Sequence, residues 1–231
     1  VYDQFTAHHL VEAGRFPADR VMVTGSPKLD AFVQTAAALD EAARRSIRAS
    51  VGCSPGQHLV VVATKYSQIA GAIRPLVESV AGMPDARLVV KCHPAESPEP
   101  YLRAAAGAAN VTIAPAGADL ARLVAAASAL VTVNSTAAIE AMPIGVPALV
   151  VSLPNNLSPF VEAGAMAGAY APEEIGRVLR SLLYDQEFRS RLAAGREAFM
   201  ARFAVRADGG AARRAADAIL RLAGVPFPKG E

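Results

Sequence analysis

Residues 131–151 read VTVNSTAAIEAMPIGVPALVV, and the way this stretch folds decides how the rest of the chain is read. Its two ends are runs of β-branched and aliphatic residues of the kind buried in parallel sheets. Between them lie a polar knot, Asn134-Ser135-Thr136, and a short alanine-rich helical pattern with one acid, Glu140. In a parallel α/β unit the knot falls where a strand hands over to a helix, the usual seat of a phosphate. Ser135 or Thr136 can cap the helix while its first N–H groups and dipole face an anion. Ala137 and Ala138 permit close approach. Glu140, four residues after Thr136, shares its helix face and is placed to accept hydrogen bonds from both hydroxyls of a ribose. These residues alone leave a second reading open, a plain capped helix with a surface glutamate.

Working outward, short Val/Leu/Ile-rich runs recur on both sides: VMVTG from Val21, HLVVVATK from His58, RLVVKCHP from Arg87, VTIAP from Val111, ALVTVNS from Ala129 and PALVVSL from Pro147. Each predicts a buried parallel strand. The intervening segments have helical period: in ADLARLVAAAS, Leu120, Leu123, Val124 and Ala127 share one face. This alternation predicts an α/β, Rossmann-like doubly wound parallel sheet. After Leu153 helices take over, with Ile175, Val178, Leu179 and Leu182 on one stripe and two further helices ending near Gly224. The expected organisation is residues 1–20 as a hinge or the end of a preceding domain, 21–224 as the Rossmann-like domain with its C-terminal helices, and 225–231 as a tail.

In such a sheet, ligands bind beyond the carboxyl ends of the strands. Four of those ends are polar here: Gly25-Ser26-Pro27, Thr64-Lys65, Lys91-Cys92-His93-Pro94 and Asn134-Ser135-Thr136. Strand alternation puts Lys91 and His93 on one face, where they could meet a phosphate or a reacting hydroxyl. Lys65 reads either as a phosphate-facing cation or as a solvated loop residue. Singly, each of these residues has an ordinary structural explanation; it is their agreement in position that points to a site.

Composition narrows the class. A formal charge of +2 over 231 residues does not mark a nucleic-acid binder. The Arg44-Arg45 and Arg213-Arg214 pairs read as solvated helix faces. Hydrophobic residues make up 52% of the chain, much of it alanine, yet the longest apolar stretch, near Val124–Val133, is far short of a bilayer span. Cys53 and Cys92 have neither metal-ligand spacing nor the density of a disulfide framework, which fits a reducing cytoplasm. No GxGxxG, GxxxxGK[ST] or GxSxG pattern occurs, which counts against a standard dinucleotide fold, a P-loop enzyme and a serine hydrolase. The chain opens on Val1, and an excised segment is expected.

With these residues in place, the sequence resembles the C-terminal, nucleotide-sugar-binding half of GT-B enzymes, in the branch of UDP-N-acetylglucosamine 2-epimerases, CDP-glycerol glycerophosphotransferases and bacterial capsule glycosyltransferases. The matching pieces are VTGSPKLDAF, LVVKCHPAE, NSTAAIEAMPIGVPALVV and the closing FAVRADGGAARRAADAIL. The resemblance implies that Asn134, Ser135 and Thr136 lie at the phosphates, that Glu140 binds the ribose, and that His93 stands near the phosphate or the transferred group in a catalytic role. It further implies that Ser26, Lys65 and Lys91 contribute to the donor cleft. The implied ligand is a nucleotide-diphosphate or nucleotide-monophosphate sugar of UDP, CDP or CMP type, with no cofactor, metal or nucleic acid. An acceptor-binding half would lie upstream of Val1. The implied location is the cytoplasm or, peripherally, the inner face of the membrane. Two departures stand out: Pro143 predicts a short motif helix, and Lys65-Tyr66 replaces the His-Arg pair of the epimerases, which favours a transferase over an epimerase. Base, sugar, acceptor and oligomeric state are not legible.

Overall fold

The computed structural model describes residues 1–64 and 69–224. Lys65 and the 225–231 tail therefore lie outside the described residues. Two compact units are present, one formed by residues 1–35 with the segment from Met200 onward, the other by residues 36–199.

The second unit contains a six-stranded sheet: β1 (His58–Ala63), β2 (Ala86–Lys91), β3 (Val111–Ile113), β4 (Ala129–Thr132), β5 (Ala148–Val150) and β6 (Ala167–Gly168). All pairings are parallel and the spatial order is β3-β2-β1-β4-β5-β6. This is the doubly wound sheet expected from the sequence. Five strands fall on predicted runs; β6, two residues long, is too short to leave a pattern.

Helices cover the sheet on both faces, which is why the central strands are apolar throughout rather than alternating. The helix Ala70–Ala81 contributes Ile73, Leu76, Val77 and Val80 to a core with Val60, Val62, Leu88, Val90 and Leu149. The helix Pro172–Tyr184 adds the predicted stripe Ile175, Val178, Leu179 and Leu182. A smaller cluster joins Ala36, Leu39 and Ala125 to Ala43 and Ile47 of the helix Glu41–Ser50. Here one expectation fails. Arg44 is not solvated but donates to the carbonyls of Leu39, Ala36 and Ala125, whereas Arg45 forms an exposed pair with Glu41 at 3.6 Å. Adjacent helical residues point about 100° apart, so a double arginine rarely presents both members to water.

The first unit contains the helices Gln4–Glu12 and Ala211–Ala223 and most of Pro27–Ala37. VMVTG forms no strand. Its strand-like backbone bonds go to the terminal residue alone, through Val1 N→Met22 O (2.8 Å) and Thr24 N→Val1 O (2.9 Å). One residue is too little partner to make a ladder. Asp30 Oδ2 accepts the Ala211 N–H at 2.9 Å and so caps a helix far away in sequence. Arg214 donates to Thr24 O at 2.7 Å and to both oxygens of Asp208; like Arg44, it is structural, while Arg213 is exposed. No helix among the described residues is long and apolar enough to cross a membrane.

Candidate functional site

The strand order reverses between β1 and β4: successive strands run outward from β1 on one side and from β4 on the other. At this switch point Ala63 of β1 is in register with Lys91 of β2 and with Thr132 of β4, so three strands end level. Thr132 Oγ1 donates to Ala63 O at 2.9 Å, fixing the two halves of the sheet to each other. Open parallel sheets bind ligands in the crevice outside such a point. Thr64, Cys92-His93 and Val133–Thr136 follow directly.

After β2, Pro94 ends the ladder and the chain turns back. Glu96 N donates to His93 O at 2.9 Å, and Ala95 N donates to His93 Nδ1 at 3.2 Å. An Nδ1 that accepts leaves the ring proton on Nε2, so the turn presents the imidazole as an Nε2–H donor. The His93 N–H is shared between Thr64 Oγ1 (2.9 Å) and Glu96 Oε2 (3.1 Å), and the Thr64 hydroxyl donates to the same carboxylate oxygen. Tyr101 is buried beside this group; burial, then Glu96, raises its phenol to about 12 against the opposing effect of Thr64. Burial and next Glu96 push the Cys92 thiol up as well, so it is neutral at ordinary pH. Sequence reading singled out His93, placed Thr64 at a polar strand end without giving it a role, and missed Glu96 and Tyr101. The spacing of HPAE was the available signal, since an acid three residues after His93 can fold back over a proline turn.

After β4 the knot folds into the short helix Ala137–Ala141, which stops before Pro143 as predicted. The capping question left open by the sequence resolves as Ser135, whose Oγ accepts the Ala137 N–H at 3.2 Å. Thr136 makes no capping bond; its Oγ1 donates to Glu140 Oε1 at 3.2 Å. Glu140 is 5% exposed, so it is not a surface acid. Asn134 and Ser135 are half-buried and Thr136 is exposed. Asn155, which the sequence did not flag, braces the knot: its Nδ2 donates to Val133 O (2.8 Å), Val151 O and Ser152 O, and its Oδ1 accepts from Leu157 N.

His93, Asn134, Ser135, Thr136 and Glu140 thus follow β2 and β4, with only β1 between them, at one edge of the sheet. Lys91 sits at the same edge but points inward. It is 8% exposed, and its Nζ donates to Cys92 O (3.0 Å) and to Ala116 O (3.2 Å) in the loop after β3. A buried ammonium needs acceptors, and two carbonyls supply them. Ser26 belongs to the first unit, where its Oγ accepts the Leu29 N–H at 3.2 Å and caps the helix that follows. Chemically, the edge offers hydroxyls and an imidazole N–H for phosphate oxygens and one buried carboxylate for hydroxyl donors.

A family model described as "Putative glycosyltransferase (DUF6716)" matches residues 68–153, under half of the chain but enclosing Lys91, His93, Asn134, Ser135, Thr136 and Glu140. The wall teichoic acid polymerase TagF, in a variant soaked with CDPG, superposes with a TM-score of 0.67 at 16% identity, over 96% of this chain and 55% of its own. UDP-GlcNAc 2-epimerase from Neisseria meningitidis bound to UDP-GlcNAc gives 0.73 at 16% identity, over 95% and 60%. The S. aureus MnaA–UDP structure gives 0.74 at 17%, over 99% and 61%. The chain has the fold of one GT-B half. This GT-B half spans little more than half the length of the solved structures it matches. No curated protein matches its sequence.

Proposed function

We propose that the chain is the donor-binding domain of a glycosyltransferase, or of a related sugar- or polyol-phosphate transferase, of surface polysaccharide synthesis. Its ligand is a nucleotide sugar of UDP, CDP or CMP type. One observation carries this reading: an Nε2–H histidine and the Ser135/Thr136/Glu140 group follow the two strands that flank β1 at the switch point of the sheet. The family description and the GT-B fold support it. In this reading the phosphates meet His93 and the hydroxyls of the knot, and the ribose hydroxyls donate to Glu140. The bond from the transferred group to the nucleotide breaks with its electron pair leaving on a phosphate oxygen. Donors fixed around that oxygen stabilise the charge as it develops, and the Nε2–H is the one placed to donate a hydrogen bond or a proton. Lys91 acts through the loop it holds, and Lys65 is the cation proposed for the phosphates. The acceptor hydroxyl is delivered by another half, a division supported by the greater length of the matched structures. The setting is the cytoplasm or the inner face of the membrane, where such donors are used.

The experiment is a calorimetric titration of this chain with UDP, CDP, CMP and ADP. Saturable one-site binding of at least one of the first three is expected, with little or no transfer catalysed by the chain alone. Absence of binding to all four rejects the proposal. An epimerase half is the second reading, favoured by the TM-score of 0.73 for the Neisseria meningitidis UDP-GlcNAc 2-epimerase against 0.67 for TagF. Turnover of UDP-GlcNAc by the full-length protein without an acceptor would select it.

A further inference from the structure

His93 is held from both sides by a single residue. The Glu96 N–H donates to His93 O at 2.9 Å, and the Glu96 carboxylate reaches back to accept the His93 N–H through Oε2 at 3.1 Å. Between these two bonds the Ala95 N–H meets the ring itself, at Nδ1. Main chain and imidazole are thus tied within one turn. The carboxylate is tied in its own right: Oε2 also accepts from the Thr64 hydroxyl, whose oxygen takes the His93 N–H at 2.9 Å, and the Tyr101 phenol interacts with both Thr64 and Glu96. Thr64 directly follows β1, where its N–H donates to Lys91 O at 3.3 Å, and Tyr101 belongs to the helix Glu99–Ala105. Both side chains are buried, which shields the cluster from competing water. A proline turn closed by its own backbone bond does not require an acid packed beneath it, and shielding a carboxylate from water is costly. What the acid adds is a fixed place for His93.

We infer that Glu96 is the positioning residue for His93, a strut between the end of β1 and the histidine turn that holds the Nε2–H where the phosphate of the donor arrives. The inference rests on the proposed nucleotide-sugar reading and adds a residue to it. Glu96 does not touch the ligand; it acts by removing freedom from His93 before binding. A hydrogen-bond donor that is already fixed loses less entropy when the ligand arrives than one carried on a mobile turn, and it reorganises less as charge develops on the leaving oxygen. Thr64 and Tyr101 keep the carboxylate turned toward His93, so the strut is anchored on the strand and on the helix rather than on the turn alone.

The test is a double-mutant cycle on this chain, read as the Kd of whichever of UDP, CDP or CMP it binds. Glu96→Ala should weaken binding about tenfold or more in the parent but less than about twofold on a His93→Ala background, because an effect exerted through His93 vanishes with it. Glu96→Gln keeps an oxygen for both donors and should bind within about threefold of the parent. A second readout needs no ligand: three-bond couplings of the isotope-labelled chain should show one χ1 rotamer for His93 in the parent and averaging between rotamers in Glu96→Ala. If Glu96→Ala does not fold, Thr64→Val, which removes the hydroxyl shared by both groups and keeps the shape, enters the same cycle and the same coupling measurement with the same expectations. Equal losses with and without His93, or no loss at all, overturn the inference. So does a loss in Glu96→Gln as large as that in alanine, or a His93 rotamer equally fixed in parent and variant. A parent that binds no nucleotide rejects the proposed function instead, and the rotamer measurement then decides the positioning role by itself.

Discussion

Replacing Glu140 by glutamine tests the ribose contact with the least disturbance. The carboxylate is already buried and hydrogen-bonded to Thr136 without any ligand, so alanine would remove both volume and an acceptor and blur binding with packing. Glutamine keeps the shape and one oxygen. Hydrogen bonds to a charged group contribute roughly 1.5 to 3 kcal/mol and neutral ones roughly 0.5 to 1.5. The difference is about 1 kcal/mol per bond, or about 2 kcal/mol for the two hydroxyls of a ribose. At about 1.4 kcal/mol per factor of ten, Kd should rise about 30-fold. The assay is calorimetry of parent and Glu140→Gln with the tightest-binding ribonucleotide and with its 2′-deoxy counterpart. The parent should discriminate against the deoxy ligand, and the variant should discriminate far less. If the parent binds both equally, Glu140 does not hold the ribose, however strongly the mutation affects affinity.

Lys91→Met keeps the aliphatic stem but removes the two donors that hold Cys92 O and Ala116 O; partly offset by relief of ammonium burial, the expected loss is about 1 to 3 kcal/mol, read as a lower Tm in calorimetry. His58 is held below its ordinary 6.5 by burial, partly opposed by Asp85, and packs edge-on against Tyr184. The folded state therefore binds fewer protons than the unfolded chain just below that value, so stability should fall as pH drops through 6.5 and level off below the folded pKa; His58→Gln should flatten that part of a Tm–pH profile. Gly195→Ala should destabilise, although alanine ordinarily favours a helix by about 1 kcal/mol over glycine, because the new Cβ would lie 2.7 Å from the Gly164 carbonyl carbon. Chemical denaturation checks the sign, and a stabilised variant would show that the two segments do not pack as closely as described.

Much of this molecule is legible from local pattern. The strands His58–Ala63, Ala86–Lys91 and Ala129–Thr132 and the stripe of the helix Pro172–Tyr184 follow from apolar period, and the early stop at Met142 follows from Pro143. What escaped is set by partners distant in sequence. VMVTG has the composition of a strand, but a ladder needs a neighbouring strand, and the segment's strand-like bonds reach one residue, Val1. Alternation put Lys91 and His93 on one face, yet Lys91 is drawn to a carbonyl 25 residues away, which no spacing rule foretells. Glu96 and Asn155 read as loop residues, because their acceptors and donors are assembled only once three strand ends lie side by side. Arg44 and Arg214 show the same limit: a charge is visible in sequence, and whether carbonyls surround it is not.

The sheet ends on one side in β3, three residues long, and on the other in β6, two residues long. Edge strands expose unpaired N–H and C=O groups on which another chain can template a strand, and shortness is one way proteins blunt that hazard. The two longest strands, His58–Ala63 and Ala86–Lys91, are rich in Val and Leu and lie in the interior of the sheet, paired on both sides. Each must be stripped of two neighbours before it can recruit a copy of itself. Aggregation on heating should therefore track the global melt of the second unit rather than precede it, and the folded protein should tolerate high concentration without growing ordered fibres from its edges.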